Sequence, residues 1–410
     1  MSFFASRWVP EPMHARETAG LPAGFRAAGV ACGIKPAGGL DLGLLVSDGP
    51  DTTSAARFTR SGVLAAPVLL CQERCELNAL RAIAANSGSA NCSTGHPGLD
   101  AAAQVQAAAA AMAEVPASQV AVASTGAIAH RLPVDELVAG MSTAAAQLRP
   151  DGDGDLTDAI STTDAFPKRV ALEVDLPGGT VGLSAQAKGA GMISPAFATM
   201  FCFVQTDAAL EPATADLLLQ TTLARSFERV SVDGQLSTND TAILMASGAS
   251  GVRVAPESDD ELALGEALDA VMRQLALLVV ADGEGAKRVG RVVVSGGHEL
   301  HVEGAARAIA NSPLVKAALH GADPNWGRLA QSIGMALPGT APLAYDIAIE
   351  GMRVCEQGVG MPYDEDALAG AVAGDEVEYV VGLPGEGAQT EVFFSDLSHR
   401  YVTINAEYTT

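Results

Sequence analysis

A mixed, layered α/β fold is what the sequence predicts, on three observations. Short apolar stretches bounded by Gly, Pro and Asp recur along the chain, the pattern of strands that bury one or both faces. Alanine- and leucine-rich runs with helical spacing alternate with them. At 410 residues, 48% hydrophobic and 18% charged, the chain can bury a large core, as two domains or one large layered unit.

Residues 23 to 70 read as short strands and turns: GFRAAGVACGI, LDLGLLVSDGP and TSAARFTRSGVLAAPVLLC. LRAIAANSGSANCSTG is a buried strand running into a loop of small polar residues. The alanine-rich stretch from Asp100 to Glu114 predicts a helix, followed by the strand VAVASTGAI and a helix over VDELVAGMSTAAAQL. PDGDGDL at 150–156 reads as a turn or linker, and Arg169 to Leu183 as strand, turn, strand. LEPATADLLLQTTLARSFERV holds an amphipathic helix, and a longer helix spans Asp259 to Val280 and ends at DGEGA. RVGRVVVSG is a strand, and a helix near NSPLVKAAL leads into the turn HGADPNWG. Three further strands (YDIAIEG, EVEYVVGL, TEVFFSDLS) and one short helix complete the C-terminal third.

Composition excludes several classes of function. Net charge is −23, so phosphate polymers and anionic membrane surfaces are repelled. Aromatics are only 4%, which leaves no stacking platform for single-stranded nucleic acid. None of the six cysteines (Cys32, Cys71, Cys75, Cys92, Cys202, Cys355) forms C-x-x-C, and reduced thiols in a cytoplasmic protein are expected. No apolar run approaches the roughly 20 residues of a membrane helix. MSFFASRWVPEP has no continuous apolar core of signal-peptide type.

Familiar catalytic templates are absent or weak. There is no G-x-S-x-G and no G-x-x-x-x-G-K-[ST]. His298 and His301 in HELH are spaced i, i+3 and read better as two exposed turn histidines than as metal ligands. Gly189 and Gly191 imitate the start of G-x-G-x-x-G, but Ser194 stands at the third glycine. What remains is AKGAGMISPAFATMFCFVQTDA (187–208): a lysine in a glycine-rich turn, then a buried apolar strand containing Thr199. Taken alone, Thr199 is a β-branched residue on strand duty, but Lys188 among small residues is a placed cation, and Gly189 and Gly191 permit close backbone approach.

That stretch resembles the processing-site signature of the ornithine acetyltransferase (glutamate N-acetyltransferase) family. The likeness continues in ANSGSANCSTG (85–95), STGAIAHRLP (124–133), TTDAFPK (162–168), SFERVSVDGQLSTNDT (226–241), DGEGAK (282–287), HGADPNWGR (320–328) and SDLSHRYVTINAEYTT (395–410). The resemblance implies a mixed α/β fold, two sheets packed between helix layers, related to self-processing N-terminal-nucleophile enzymes. It implies cleavage between Ala198 and Thr199 into an α chain (1–198) and a β chain (199–410), with the usual assembly a dimer of αβ units. Thr199 becomes the nucleophile, and its freed α-amine the base that a peptide nitrogen cannot be. Acetyl then passes from N2-acetylornithine to Thr199 and on to glutamate, with no metal or organic cofactor. In so acidic a chain, drawing in glutamate requires a local cation, the place of Lys188.

By position, the resemblance assigns Thr125 and Gly126 to the oxyanion hole and Glu284 to the reacting centre. Thr162, Lys188, Asn405 and Thr410 fall on substrate-binding positions. Taken singly, STG is a tight turn and DGEG a helix-ending turn. Ala286 is followed directly by Lys287 where the family usually reads DGEGATK, NACTG is NCSTG here, STGVIG is STGAIA, and Gln235 replaces a usual aspartate. Nucleophile, lysine and glutamate are unaffected, but acyl-donor preference stays open. Three readings follow: a monofunctional transferase of arginine biosynthesis, a bifunctional enzyme that also uses acetyl-CoA, and a related self-processing amidohydrolase or aminopeptidase with water as acceptor.

Overall fold

The computed structural model describes residues 2–35, 38–194 and 200–407. Thr199, Ala198 and Thr410, singled out above, lie outside the described residues. The expected mixed α/β class is what the chain adopts, with its described strands in three sheets.

The six-stranded sheet runs in the order Ala15–Glu17, Lys168–Leu176, Gly179–Lys188, Phe201–Thr206, Thr241–Ala246, Thr53–Phe58. Its neighbours pair antiparallel except Phe201–Thr206 and Thr241–Ala246, which run parallel. On Phe201–Thr206, Cys202 and Val204 join the core under helices Pro212–Arg225 and Asp259–Ala281. Phe201 and Phe203 point to the other face and pack toward the four-stranded sheet. A period of two puts successive side chains on opposite faces, so one apolar strand serves two cores.

The four-stranded sheet has the order Phe25–Val30, Leu42–Ser47, Ala82–Ser89, Val120–Ala127, the last pair parallel. Helices Ala66–Arg74, Gly95–Ala113 and Val134–Ala146 cover its outer face. Helix, sheet, sheet, helix is thus the order of these layers. A seven-stranded sheet adds Val230–Ser231, Gln389–Ser395, Val289–Ser295, Glu376–Gly382, Asp346–Ile349, Met352–Glu356 and Val359–Gly360. Helices Glu299–Ala310, Pro313–His320 and Trp326–Ala336 enclose its apolar face.

Several elements differ from the sequence reading. PDGDGDL is a turn only over 150–152 and not a linker: helix Asp153–Ile160 starts inside it and packs against strands of both inner sheets. Asp153 and Asp155 suit a helix N-terminus, and burial of Leu156, Ala159 and Ile160 outweighs the glycine cost. GVLAAPVLLC is half helix: Ala66–Arg74 has Pro67 in its first turn, where a fixed φ favours the helix. His298 caps helix Glu299–Ala310 by accepting the Leu300 N–H, so HELH opens a helix. Trp326–Ala336 and the tail helix His399–Glu407 were likewise not apparent in the sequence.

All six cysteines are unpaired. Among the described residues no helix is long and apolar enough to cross a membrane, and no group of three or more His, Cys, Asp or Glu could hold a metal ion.

Candidate active site

Six residues named from the sequence converge on one pocket: Thr125, Gly126, Thr162, Lys188, Glu284 and Asn405. Each arrives on a strand end, a helix end or a turn, where a rigid element delivers a side chain without closing it off. Lys188 ends strand Gly179–Lys188, and Thr125 and Gly126 lie near the end of Val120–Ala127. Thr162 follows helix Asp153–Ile160, Glu284 follows Asp259–Ala281, and Asn405 sits on the tail helix.

Lys188 is buried, and its Nζ donates to Thr162 Oγ1 at 2.8 Å and to Thr125 Oγ1 at 3.3 Å. Burial pushes its pKa down, and the charge of nearby Asp164 partly opposes this. No carboxylate lies within ion-pair distance of Lys188 among the described residues. Its charge is therefore offered to the pocket through two hydroxyls rather than neutralised by a contact partner.

Behind it stands a dry charge ladder. Asp164 Oδ1 accepts from Lys168 Nζ at 2.7 Å and from Gly189 N–H at 2.7 Å. Lys168 Nζ also donates to Asp282 Oδ2 at 2.5 Å. Burial would raise the Asp164 pKa, but Lys188, Lys168 and the Gly189 N–H together outweigh it and hold the carboxyl well below the usual range. Burial dominates at Asp282, whose pKa is raised despite Lys168. Asp282 leads directly into Gly283 and Glu284, so the ladder ties the Lys188 side of the pocket to the Glu284 side.

Glu284 Oε2 accepts from Asn405 Nδ2 at 2.6 Å, which brings the C-terminal helix into the site. The Glu284 N–H donates to Ala190 O at 2.9 Å. Gly191 is required opposite it: a Cβ there would meet Glu284 Cδ at 2.8 Å. Gly126 is required twice over, by a φ of +129° and because a Cβ would lie 2.4 Å from the Gly88 carbonyl carbon.

Asp233 organises the remaining wall. Its carboxylate accepts from Met192 N at 2.7 Å, Ile193 N at 2.9 Å and Gln235 N at 3.1 Å, and Tyr401 Oη donates to it at 3.4 Å. The sequence reading placed Asp233, Asn239, Asp240 and Tyr401 inside matched segments without giving them a role. Acidic or amide side chains inside VSVDG and STNDT, beside apolar strands, were the available signal.

A buried cation facing a carboxylate across threonine hydroxyls and glycine backbone forms a pocket for a small molecule bearing both charges. The ArgJ family model matches residues 26–410, and the chain belongs to that family. It is similar to the arginine biosynthesis bifunctional protein ArgJ of Mycolicibacterium paratuberculosis, 44% identical over 400 residues, covering 94% of this chain and 95% of that one. The protein of the same name from Mycobacterium tuberculosis is 42% identical over 395 residues, covering 94% and 95%. A crystal structure of ornithine acetyltransferase complexed with ornithine, also from Mycobacterium tuberculosis, shares 40% identity, with a TM-score of 0.40 over 45% of this chain and 99% of that one.

Proposed function

We propose that this chain is a self-cleaving acyltransferase of arginine biosynthesis, moving acetyl from N2-acetylornithine to glutamate through an acetyl-threonine at Thr199. The observation that carries the reading is the convergence of Thr125, Gly126, Thr162, Lys188, Glu284 and Asn405 on one pocket, from five separate parts of the chain. Membership of a family whose relatives carry an arginine-biosynthesis name supplies the reaction class.

In this reading the backbone is cut between Ala198 and Thr199. The freed α-amine takes the proton of the Thr199 hydroxyl, which attacks the acetyl carbonyl. The Gly126 N–H and the Thr125 hydroxyl receive the oxyanion, and a donor of that kind is typically worth about 100- to 1000-fold in rate. Ornithine leaves as an amine, and glutamate's amine attacks the acetyl ester. Lys188 and Thr162 suit a carboxylate, while Glu284, oriented by Asn405, suits an ammonium. Thr410 is assigned to the same substrate contacts.

The two products, 1–198 and 199–410, would remain one body. The six-stranded sheet interleaves strands from both, with Gly179–Lys188 bonded antiparallel to Phe201–Thr206. A dimer of αβ units in the cytoplasm is the assembly proposed. The relatives' name, bifunctional, favours a second activity, acetylation of glutamate from acetyl-CoA.

Incubation with acetylornithine and glutamate, with and without acetyl-CoA, followed by mass spectrometry, tests these readings. Acetylglutamate and ornithine should form without acetyl-CoA, from protein that runs as two fragments. Acetylglutamate from acetyl-CoA alone adds the second activity. Acetate and ornithine without acetylglutamate would mean that water is the acceptor. An active enzyme that remains one full-length band would refute the threonine mechanism.

A further inference from the structure

We infer that Asn239 and Asp240 form a positioning pair that registers the Ser124–Gly126 turn against the backbone at Met200; the inference rests on the oxyanion and cleavage roles proposed above. Asn239 is buried, and its Nδ2 donates to two carbonyls, Ala90 O and Ser124 O, each at 2.7 Å. An amide nitrogen has two hydrogens, so its donor capacity is fully used. Thr238 Oγ1 donates to Asn239 Oδ1, which fixes the direction in which the amide points.

The Ser124 carbonyl belongs to the same planar peptide unit as the Thr125 N–H. Holding that carbonyl fixes the plane of the peptide, and with it the exit direction of the Thr125 side chain and of the Gly126 N–H one residue on. Ser124 is anchored a second time, by its hydroxyl donating to Asn86 Oδ1 at 2.6 Å. The Ala90 carbonyl lies just beyond strand Ala82–Ser89, the parallel neighbour of Val120–Ala127. Asn239 thus staples the ends of two strands at the point where the turn must hold its shape.

The next residue reaches the other side of the site. Asp240 Oδ1 accepts the Met200 N–H at 3.0 Å, and the Thr241 N–H donates to Met200 O at 3.1 Å. Both backbone polar groups of Met200 are therefore held by residues 240 and 241, one residue after the expected nucleophile. Asp240 is 1% exposed, and its Oδ2 has no hydrogen-bond partner among the described residues. Burial pushes its pKa well up, against the opposing Met200 N–H. Asparagine keeps a side-chain oxygen that can accept the Met200 N–H, while alanine does not, and this yields a sharp pattern of rescue.

The test uses the full-length chain and four variants: Asn239→Ala, Asn239→Asp, Asp240→Asn and Asp240→Ala. Self-cleavage rate, kcat and KM for acetylornithine are measured on each. Both Asn239 variants should lose at least roughly tenfold in kcat, with KM within about twofold, since the oxyanion donors act in the transition state. Asp240→Asn should cleave and turn over near the wild-type rate, while Asp240→Ala slows cleavage by roughly tenfold or more. Wild-type kcat in Asn239→Asp, which is isosteric but offers at most one donor to the two carbonyls, would overturn the role of Asn239. Asp240→Asn as impaired as Asp240→Ala would overturn the role of Asp240 as an acceptor for the Met200 N–H. Amide hydrogen exchange over 124–126 and at 200 should rise in Asn239→Asp and Asp240→Ala whatever reaction is catalysed; unchanged exchange would overturn the pair as a positioning device. A wild-type protein that neither cleaves nor transfers acetyl would sink the proposed function instead.

Discussion

Two regions of this molecule carry ladders of alternating charge, and they differ in their access to water. At the candidate site, Asp164, Lys168 and Asp282 have side chains 2%, 0% and 3% exposed. On the polar face of the seven-stranded sheet, Arg291 bridges Glu378 at 2.6 Å and Glu391 at 2.7 Å, with side chains 24%, 28% and 19% exposed. Arg273 extends that row by pairing with Glu391 at 2.6 Å. Geometry is similar in the two places. Removing charges from water costs several kcal/mol each, so the dry ladder persists only because every member is answered, whereas the wet one tolerates a missing partner. Buried ion pairs are therefore poor evidence of stability and better evidence of a position that has to be held.

The sharpest way to break this comparison is Lys168→Met. It leaves Asp164 and Asp282 buried without their cation and should cost about 3–5 kcal/mol of unfolding free energy. Denaturant titration reads this directly, and a loss under about 1 kcal/mol would mean that the site ladder behaves like a surface pair.

Lys188→Met should act on substrate more than on stability. Loss of one hydrogen bond to a charged group is worth about 1.5–3 kcal/mol, or roughly 10- to 150-fold in kcat/KM. A variant with wild-type kcat/KM for both acetylornithine and glutamate would remove Lys188 from the binding site.

Acid provides a third probe. The folded-state pKa of Asp164 is depressed, so its contribution is present above its ordinary value of 3.8 and is lost as pH falls below that. Unfolding free energy should fall on acidification below about pH 4, and Asp164→Asn should fall less steeply over the same range. Parallel curves would mean that Asp164 gains no net stabilisation from its cations.

The smallest effect is expected at the other ladder. Arg291→Met should cost no more than about 1 kcal/mol, and less in high salt. A loss equal to that of Lys168→Met would erase the distinction between the two regions.

Much of this architecture is written locally. The hairpin Lys168–Leu176 and Gly179–Lys188, the helix Asp259–Ala281 and the strand Val120–Ala127 follow from periodicity and turn residues within a few positions of each other. The matched segments also named Thr125, Gly126, Thr162, Lys188, Glu284 and Asn405, which the fold brings to one pocket. Tertiary structure decided the rest. Lys168 meets Asp282 across 114 residues of chain, and Asn239 reaches Ala90 across 149 and Ser124 across 115. Helix Asp153–Ile160 forms within Gly- and Asp-rich chain because two sheets bury one side of it. Periodicity is a property of neighbours in sequence, and so it can be read there. Whether a charge is dry, and which distant group answers it, depends on contacts that exist only once the layers have closed.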